Sequence, residues 1–319
     1  MLILLLKGND AMKSNTKIKL DPKNDVVFQK IFGIQKNKDI LISFLDAILE
    51  DENIDIQSIE FDEKILNNEM ILDEKIGILD IRAKTTKGIQ INIEIQLINQ
   101  YNMIQRTLFY WSKLFFSQIK SGSKYSDLKK TITINLLNFD YLQYDNFHSN
   151  HHIYEDTNKL ILSDILEIHF IEIPKFLRNK KDFNNPLHRW LIFLANPEDE
   201  VLEEIEMADP KIKKAHDILE YLSEDEETIR LAELRKKKIM DEISRLEGAK
   251  EEGLKEGREE GAVLARREDI LENLSEIDTV AEDIINMVNK ETDIEKLKIW
   301  LKYSIVAESL DDFIKKISK

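Results

Sequence analysis

A short alternating stretch holds the residues with the strongest chemical content. Ile89, Ile91, Ile93, Ile95 and Leu97 alternate with Gln90, Asn92, Glu94 and Gln96. A period of two puts the two sets on opposite faces of a strand. Upstream, Gly77, Leu79, Ile81 and Ala83 alternate with Asp80 and Arg82. Between the runs, Thr86-Lys87-Gly88 reads as a hairpin loop, with Gly where a positive φ costs least. The implied pairs are Thr85 with Ile89, Ala83 with Ile91, Ile81 with Ile93 and Leu79 with Ile95. A slip of one residue would exchange the apolar and polar faces, so the pattern specifies this register. It predicts Asp80 directly across from Glu94, with Cβ atoms about 5 Å apart. Two carboxylates so placed repel. A divalent cation between them turns repulsion into binding, because Mg²⁺ takes hard oxygen ligands from one or two carboxylates. Gln96 points to the same side.

Other elements must hold that hairpin in place. Asp21-Pro22 reads as a helix start, cap then first-turn proline, with the helix running to about Phe32 and ending at Gly33. A second helix is expected from Asp39 to Leu49. Residues 56–75 read as a first strand and a connection, in which Asp73 and Glu74 are turn charges or an extra acidic ligand pair. From Asn102 to about Ser121 a long helix is expected, with Arg106, Tyr110, Lys113 and Lys120 in one stripe. Residues 102–130 hold six basic side chains and one acid, Asp127. A basic stripe beside the hairpin suits phosphates at Arg106 and Tyr110; from Lys120 onward an ordinary solvated face is the reading. Lys130 to Phe139 reads as a strand, and residues 147–173 as two more. His148 and His152 share a strand face while His151 points away, and no neighbouring acid completes a zinc set. His169, His188 and His216 read as isolated.

Composition limits the classes. Net charge is −15, but its location matters. Residues 1–195 hold 25 Lys+Arg against 26 Asp+Glu, and residues 196–319 hold 21 against 35. The acidity lies in the C-terminal part, so a nucleic-acid site in the first part stays open. The absence of Cys removes disulfides and thiolate chemistry and fits a cytoplasmic location. MLILLL at the start is too short for a signal or a span, and no stretch approaches ~18 apolar residues, so no membrane partner is expected. There is no G-x-S-x-G and no phosphate-cradling glycine loop. The expected organisation is a disordered or misassigned start over 1–20, with Met12 as an alternative initiator, then a catalytic domain over 21–195. A helical, acidic region follows over 196–319, a spacer helix and a small helical bundle. Gly248, Gly253, Gly257 and Gly261 recur about once per turn in the spacer. They read as a marginal spacer helix; the alternative is a stripe that a second helix could approach closely, allowing homo-oligomerisation through the tail.

An acid on one strand followed by E-x-Q on the next resembles the PD-(D/E)XK nuclease core, with Gln in the Lys position. More narrowly, the chain resembles the Rpn family of recombination-promoting nucleases and transposases. The matching segments are NDVVFQKIFG at 24–33, LDIRAKTTKGIQINIEIQ at 79–96 and the run from Gln105 to Phe139. HFIEIPKF at 169–176 and EGAKEEGLKEGREEG at 247–261 match as well. The resemblance implies an α/β fold: a restriction-endonuclease-like mixed sheet flanked by helices, followed by an all-helical appendage. It implies a DNA endonuclease dependent on Mg²⁺ or Mn²⁺ and associated with recombination or mobile elements. Asp80, Glu94 and the Ile95 carbonyl would hold the metal, with Asp80, Glu94 and Gln96 as the catalytic set. Asp25, Arg106 and Tyr110 are additional candidates. Gln96 brings no cation, and Arg106 is the candidate replacement for the missing charge. The alternative is a catalytically weak or inactive nuclease fold acting as a DNA or protein adaptor that oligomerises through its tail.

Overall fold

A computed structural model describes residues 18–49, 56, 59–61, 81–195 and 199–318 of the chain. Helix α1 (Asp25–Phe32) is capped by Asn24, whose side chain accepts from the Val26 amide. It therefore starts three residues later than Asp21-Pro22 suggests. Asp21 is used in a turn instead: its Oδ1 accepts from the Lys23 amide (2.9 Å) and its carbonyl from the Asn24 amide (2.9 Å). A short polar side chain satisfied by its own turn leaves the cap to the next one. Helix α2 (Lys38–Ile48) follows. Phe28 and Phe32 of α1, Phe44 of α2 and Trp190 interlock, with ring centroids 4.7 to 6.5 Å apart.

Six strands among the described residues form one mixed sheet: β1 (Ile59–Phe61), β2 (Ile81–Thr85), β3 (Gln90–Gln96), β4 (Thr131–Leu137), β5 (His148–Tyr154) and β6 (Ile161–Glu172), in the order β1-β2-β3-β4-β6-β5. β1, β2 and β3 are antiparallel, β3, β4 and β6 parallel, and β5 closes the edge antiparallel to β6. The β2–β3 hairpin has the expected register. Ile81 pairs with Ile93 and Ala83 with Ile91, the Thr85 amide donates to the Ile89 carbonyl (3.0 Å), and Gly88 takes φ +86°.

The two faces of β3 meet different neighbours. Ile91, Ile93 and Ile95 enter the main core with α1, α2 and Trp190. The polar face is covered by helix α3 (Met103–Phe116), so Asn92, Glu94 and Gln96 are buried too. α3 lies antiparallel to β4: Thr107 donates to Asn135 Oδ1 (2.9 Å), and Trp111 Nε1 donates to the Thr131 carbonyl (2.9 Å). Beyond the sheet come α4 (Ile173–Arg178), α5 (Pro186–Leu194), α6 (Asp199–Ala208), α7 (Pro210–Leu222) and the long α8 (Glu226–Ile277).

Two compact units divide between Asp241 and Glu242, further along than the 195/196 division that composition suggests. The physical reason is amphipathicity. The acids of α6 and α7 mark their solvent faces, while Leu202, Ile205, Ile212, Ala215, Leu219 and Leu222 sit at helical spacing in the core of the first unit. The second unit has its own core of Ile270, Leu274, Ile284, Val288, Leu297 and Phe313. These come from the end of α8 and from α9 (Glu282–Lys290), α10 (Ile294–Val306) and α11 (Leu310–Ile317). At Gly248, Gly253, Gly257 and Gly261 an added Cβ meets open space. Among the described residues no helix is long and apolar enough to cross a membrane.

Candidate nuclease site

The site is built on β3 and roofed by α3. Alternation along β3 sends Glu94 and Gln96 to the α3 side. The two lie two residues apart on one face, and Gln96 Nε2 donates to Glu94 Oε1 (2.6 Å). α3 begins just beyond the strand, after Tyr101, whose φ of +62° is unusual for a residue with a side chain. Its amide is held by Asn99 Oδ1 (2.8 Å), a local bond that supports this turn. One turn into α3, Arg106 reaches back to the strand. Its Nε donates to Glu94 Oε1 (2.9 Å), and its Nη2 donates to the same oxygen. Tyr110, four residues on, lies under the guanidinium, with Cζ 5.4 Å from the ring centroid.

Glu94 is 2 % exposed. Burying an ionised group costs far more than burying an amide unless an opposite charge and hydrogen bonds accompany it. Arg106 and Gln96 supply both. Next along the sheet, Asn135 of β4 is in register with Glu94. It accepts from Thr107 and donates to the His169 carbonyl (3.0 Å). Asn92 and its register partner Thr133 complete the polar floor. Both amide atoms of Asn92 and the Thr133 hydroxyl are buried without hydrogen-bond partners.

The structure thus brings Glu94, Gln96, Arg106 and Tyr110 together. Ile95 sits between the two polar residues, its side chain in the core. Asp25 has a different neighbour: Arg235 of α8, from which it accepts at Oδ1 (3.2 Å) and Oδ2 (2.9 Å). Asp80, Asp73 and Glu74 lie outside the described residues. Arg235 and Asn135 escaped the sequence reading. Arg235 is 210 residues from its partner, so no local spacing points to it. Asn135 carried a weak signal, a lone amide in the apolar run TITINLL.

A second buried cluster lies on the opposite face of the sheet, and its histidines are not isolated. Glu167 accepts at Oε1 from His169 Nε2 (2.6 Å) and at Oε2 from Lys130 and His152. Burial would raise the Glu167 carboxyl, but the His169 bond and Lys130 overcome it and hold the group at about 2. His169 Nδ1 and His148 Nε2 share a hydrogen bond (2.9 Å). Burial, then the neighbouring His169, lowers His148 to about 4 against the opposing pull of Glu167. Among the described residues no three His, Cys, Asp or Glu side chains, these included, are arranged to hold a metal ion.

A mixed sheet whose inner strand carries a buried E-x-Q set beneath a flanking helix is the arrangement expected of a PD-(D/E)XK nuclease-like domain. The sequence profile of the PD-(D/E)XK nuclease family transposases matches residues 22–249, and the chain belongs to that family. The matched range takes in α6, α7 and the first part of α8, in keeping with their place in the first compact unit. No curated protein and no solved structure matches the chain. The family and fold expected from the hairpin and its flanking motifs are borne out.

Proposed function

We propose that the protein is a metal-dependent phosphodiesterase acting on DNA, with Glu94 as the central ligand residue. The observation that carries this reading is a buried carboxylate on the inner strand, already held in place by Gln96 and Arg106. Its donor set of hard carboxylate and amide oxygens suits Mg²⁺ or Mn²⁺ rather than a soft metal. Asp80, Glu94 and the Ile95 carbonyl would hold the ion. The Ile81–Ile93 pairing supports this, because Asp80 is the next residue before Ile81. When bound, such an ion supplies Lewis acidity toward a phosphoryl oxygen and lowers the pKa of a coordinated water.

The chain's own residues then have distinct tasks. Gln96 fixes the Glu94 carboxylate and can hydrogen-bond a water, but brings no cation. Arg106 supplies positive charge beside the carboxylate, where charge builds on the phosphate during displacement. Tyr110 steers the guanidinium through its ring face. Supercoiled plasmid incubated with Mn²⁺ or Mg²⁺ should be nicked by the wild-type chain and not by Glu94→Gln or Asp80→Ala. Equal nicking by all three would defeat the assignment.

A second reading has one observation in its favour. Arg106 already neutralises Glu94, so the fold is stable as a non-catalytic DNA or protein adaptor that assembles through its helical tail. That reading expects no metal-dependent nicking and no response of stability to Mn²⁺.

A further inference from the structure

The same side of the sheet carries a second feature that the hydrolytic chemistry does not use. At the far end of α3 from Arg106, a cleft of about 500 Å³ opens between the β2–β3 hairpin and the segment after the helix. Four cations line it, Arg82 and Lys84 from β2 and Lys120 and Lys129 from that segment, against two carboxylates, Glu60 and Asp127. Among the described residues no ion pair engages Lys84, Lys120 or Lys129, and all three are exposed. An unneutralised cluster of lysines around a concave surface focuses a positive potential.

The cleft is held by bonds rather than by chance proximity. Gln118 accepts from the Lys129 amide (2.9 Å) and donates to the Lys129 carbonyl (3.1 Å) and to Thr131 Oγ1 (2.9 Å). These bonds close the segment from 118 to 131 and bring Lys120 and Lys129 to one wall. The Lys129 stem packs on the hairpin turn, where a Cβ added to Gly88 would sit 3.1 Å from its Cγ. Register places the opposite wall: Arg82 pairs with Asn92 and Lys84 with Gln90, so both share the face of Glu94. From Glu94 to Gln90 is four residues of strand, roughly 13 Å. At about 3.4 Å of axial rise per phosphate on one strand, that spans a few nucleotides.

We propose that this cleft is a backbone-phosphate subsite for duplex DNA, gripping the strand a few nucleotides from the phosphate presented to Glu94. The inference rests on the nuclease reading for its choice of ligand. The cluster sets position along the strand and carries no sequence information, as is general for groups that bind phosphates.

The test is anisotropy of a fluorescein-labelled duplex DNA in EDTA, titrated with the full-length chain over a salt series. The variant Lys84→Gln/Lys120→Gln/Lys129→Gln is compared with Lys250→Gln/Lys255→Gln/Lys302→Gln, which removes the same charge elsewhere. The cleft variant should bind at least tenfold more weakly at low salt. Its slope of log K against log salt should flatten by about 0.9 for each phosphate that is no longer neutralised. The control variant should match wild type. Equal behaviour of the two variants, or no duplex binding by wild type, overturns the proposal. The Mn²⁺ response of stability is read alongside. A flattened slope with no Mn²⁺ response leaves the subsite standing and removes the nuclease reading; the reverse pair of results removes the subsite alone.

Discussion

Asp25 and Glu94 are both buried acids in one compact unit, both carry an arginine, and both read from sequence as metal candidates. Their surroundings differ in kind. Arg235 engages both oxygens of Asp25, and its side chain is 1 % exposed. Asp25 Oδ1 also accepts from the Val26 amide (3.0 Å) at the start of α1. Nearby, Asn24 Nδ2 donates to the Ala232 carbonyl (3.1 Å) and Lys30 to Thr228. That pair is a clasp between α1 and the first turns of α8. Arg106, by contrast, directs Nε and Nη2 to one oxygen of Glu94, shares it with Gln96, and keeps 13 % side-chain exposure over a tyrosine ring. A charge pair closed on every side holds helices together. A pair with solvent access to its cation can exchange partners, which is what chemistry at a carboxylate requires.

The sharpest way to break the comparison is to delete one arginine from each pair. Arg235→Ala leaves Asp25 buried without its counter-charge and should cost about 3–5 kcal/mol, seen as a lower urea midpoint at unchanged slope. Arg106→Ala should cost less, because the Arg106 side chain is 13 % exposed against 1 % for Arg235. A destabilisation as large as that of Arg235→Ala would make the Glu94 pair a clasp as well. Next in size is the effect on turnover. Arg106→Ala should lower Mn²⁺-dependent nicking by roughly 10²-fold, the scale for losing one preorganised charge donor, with plasmid relaxation rates as the readout.

A smaller effect separates both pairs from the Glu167 cluster, where Glu167 and His148 both depart from their ordinary values. His148 is lowered in the folded chain to about 4 from an ordinary 6.5. The folded state therefore resists protonation there, and stability is lost as pH falls from about 6.5 toward 4. Glu167, lowered to about 2 from 4.5, contributes stability present above 4.5 and lost as pH falls toward 2. Glu167→Gln should remove the lower limb of that decline in thermal melts between pH 5 and 2, and Glu94→Gln should leave it in place.

The hairpin register was legible because a period of two admits one pairing that keeps the isoleucines inside. The direction of Glu94, Gln96 and Arg106 toward one another followed from the same alternation and from the closeness of α3 to the strand end. Long-range partners were not legible. Nothing near Asp25 announces Arg235, and the basic residues after Lys120 read as a solvated face until the Gln118 bonds fold them toward Lys84. The acidic composition beyond 195 hid an amphipathic stripe, since charge counts report solvent faces and say nothing of the apolar residues between them.

Whether Glu94 is the seat of a divalent cation is tested most directly by thermal melts of the wild-type chain and Glu94→Gln across a Mn²⁺ titration. Ligand binding to the folded state adds RT ln(1+[L]/Kd) of stability. The wild-type melting temperature should climb steadily with Mn²⁺ and that of Glu94→Gln should stay level. Parallel curves for the two proteins, whether rising or flat, would contradict a cation site at Glu94.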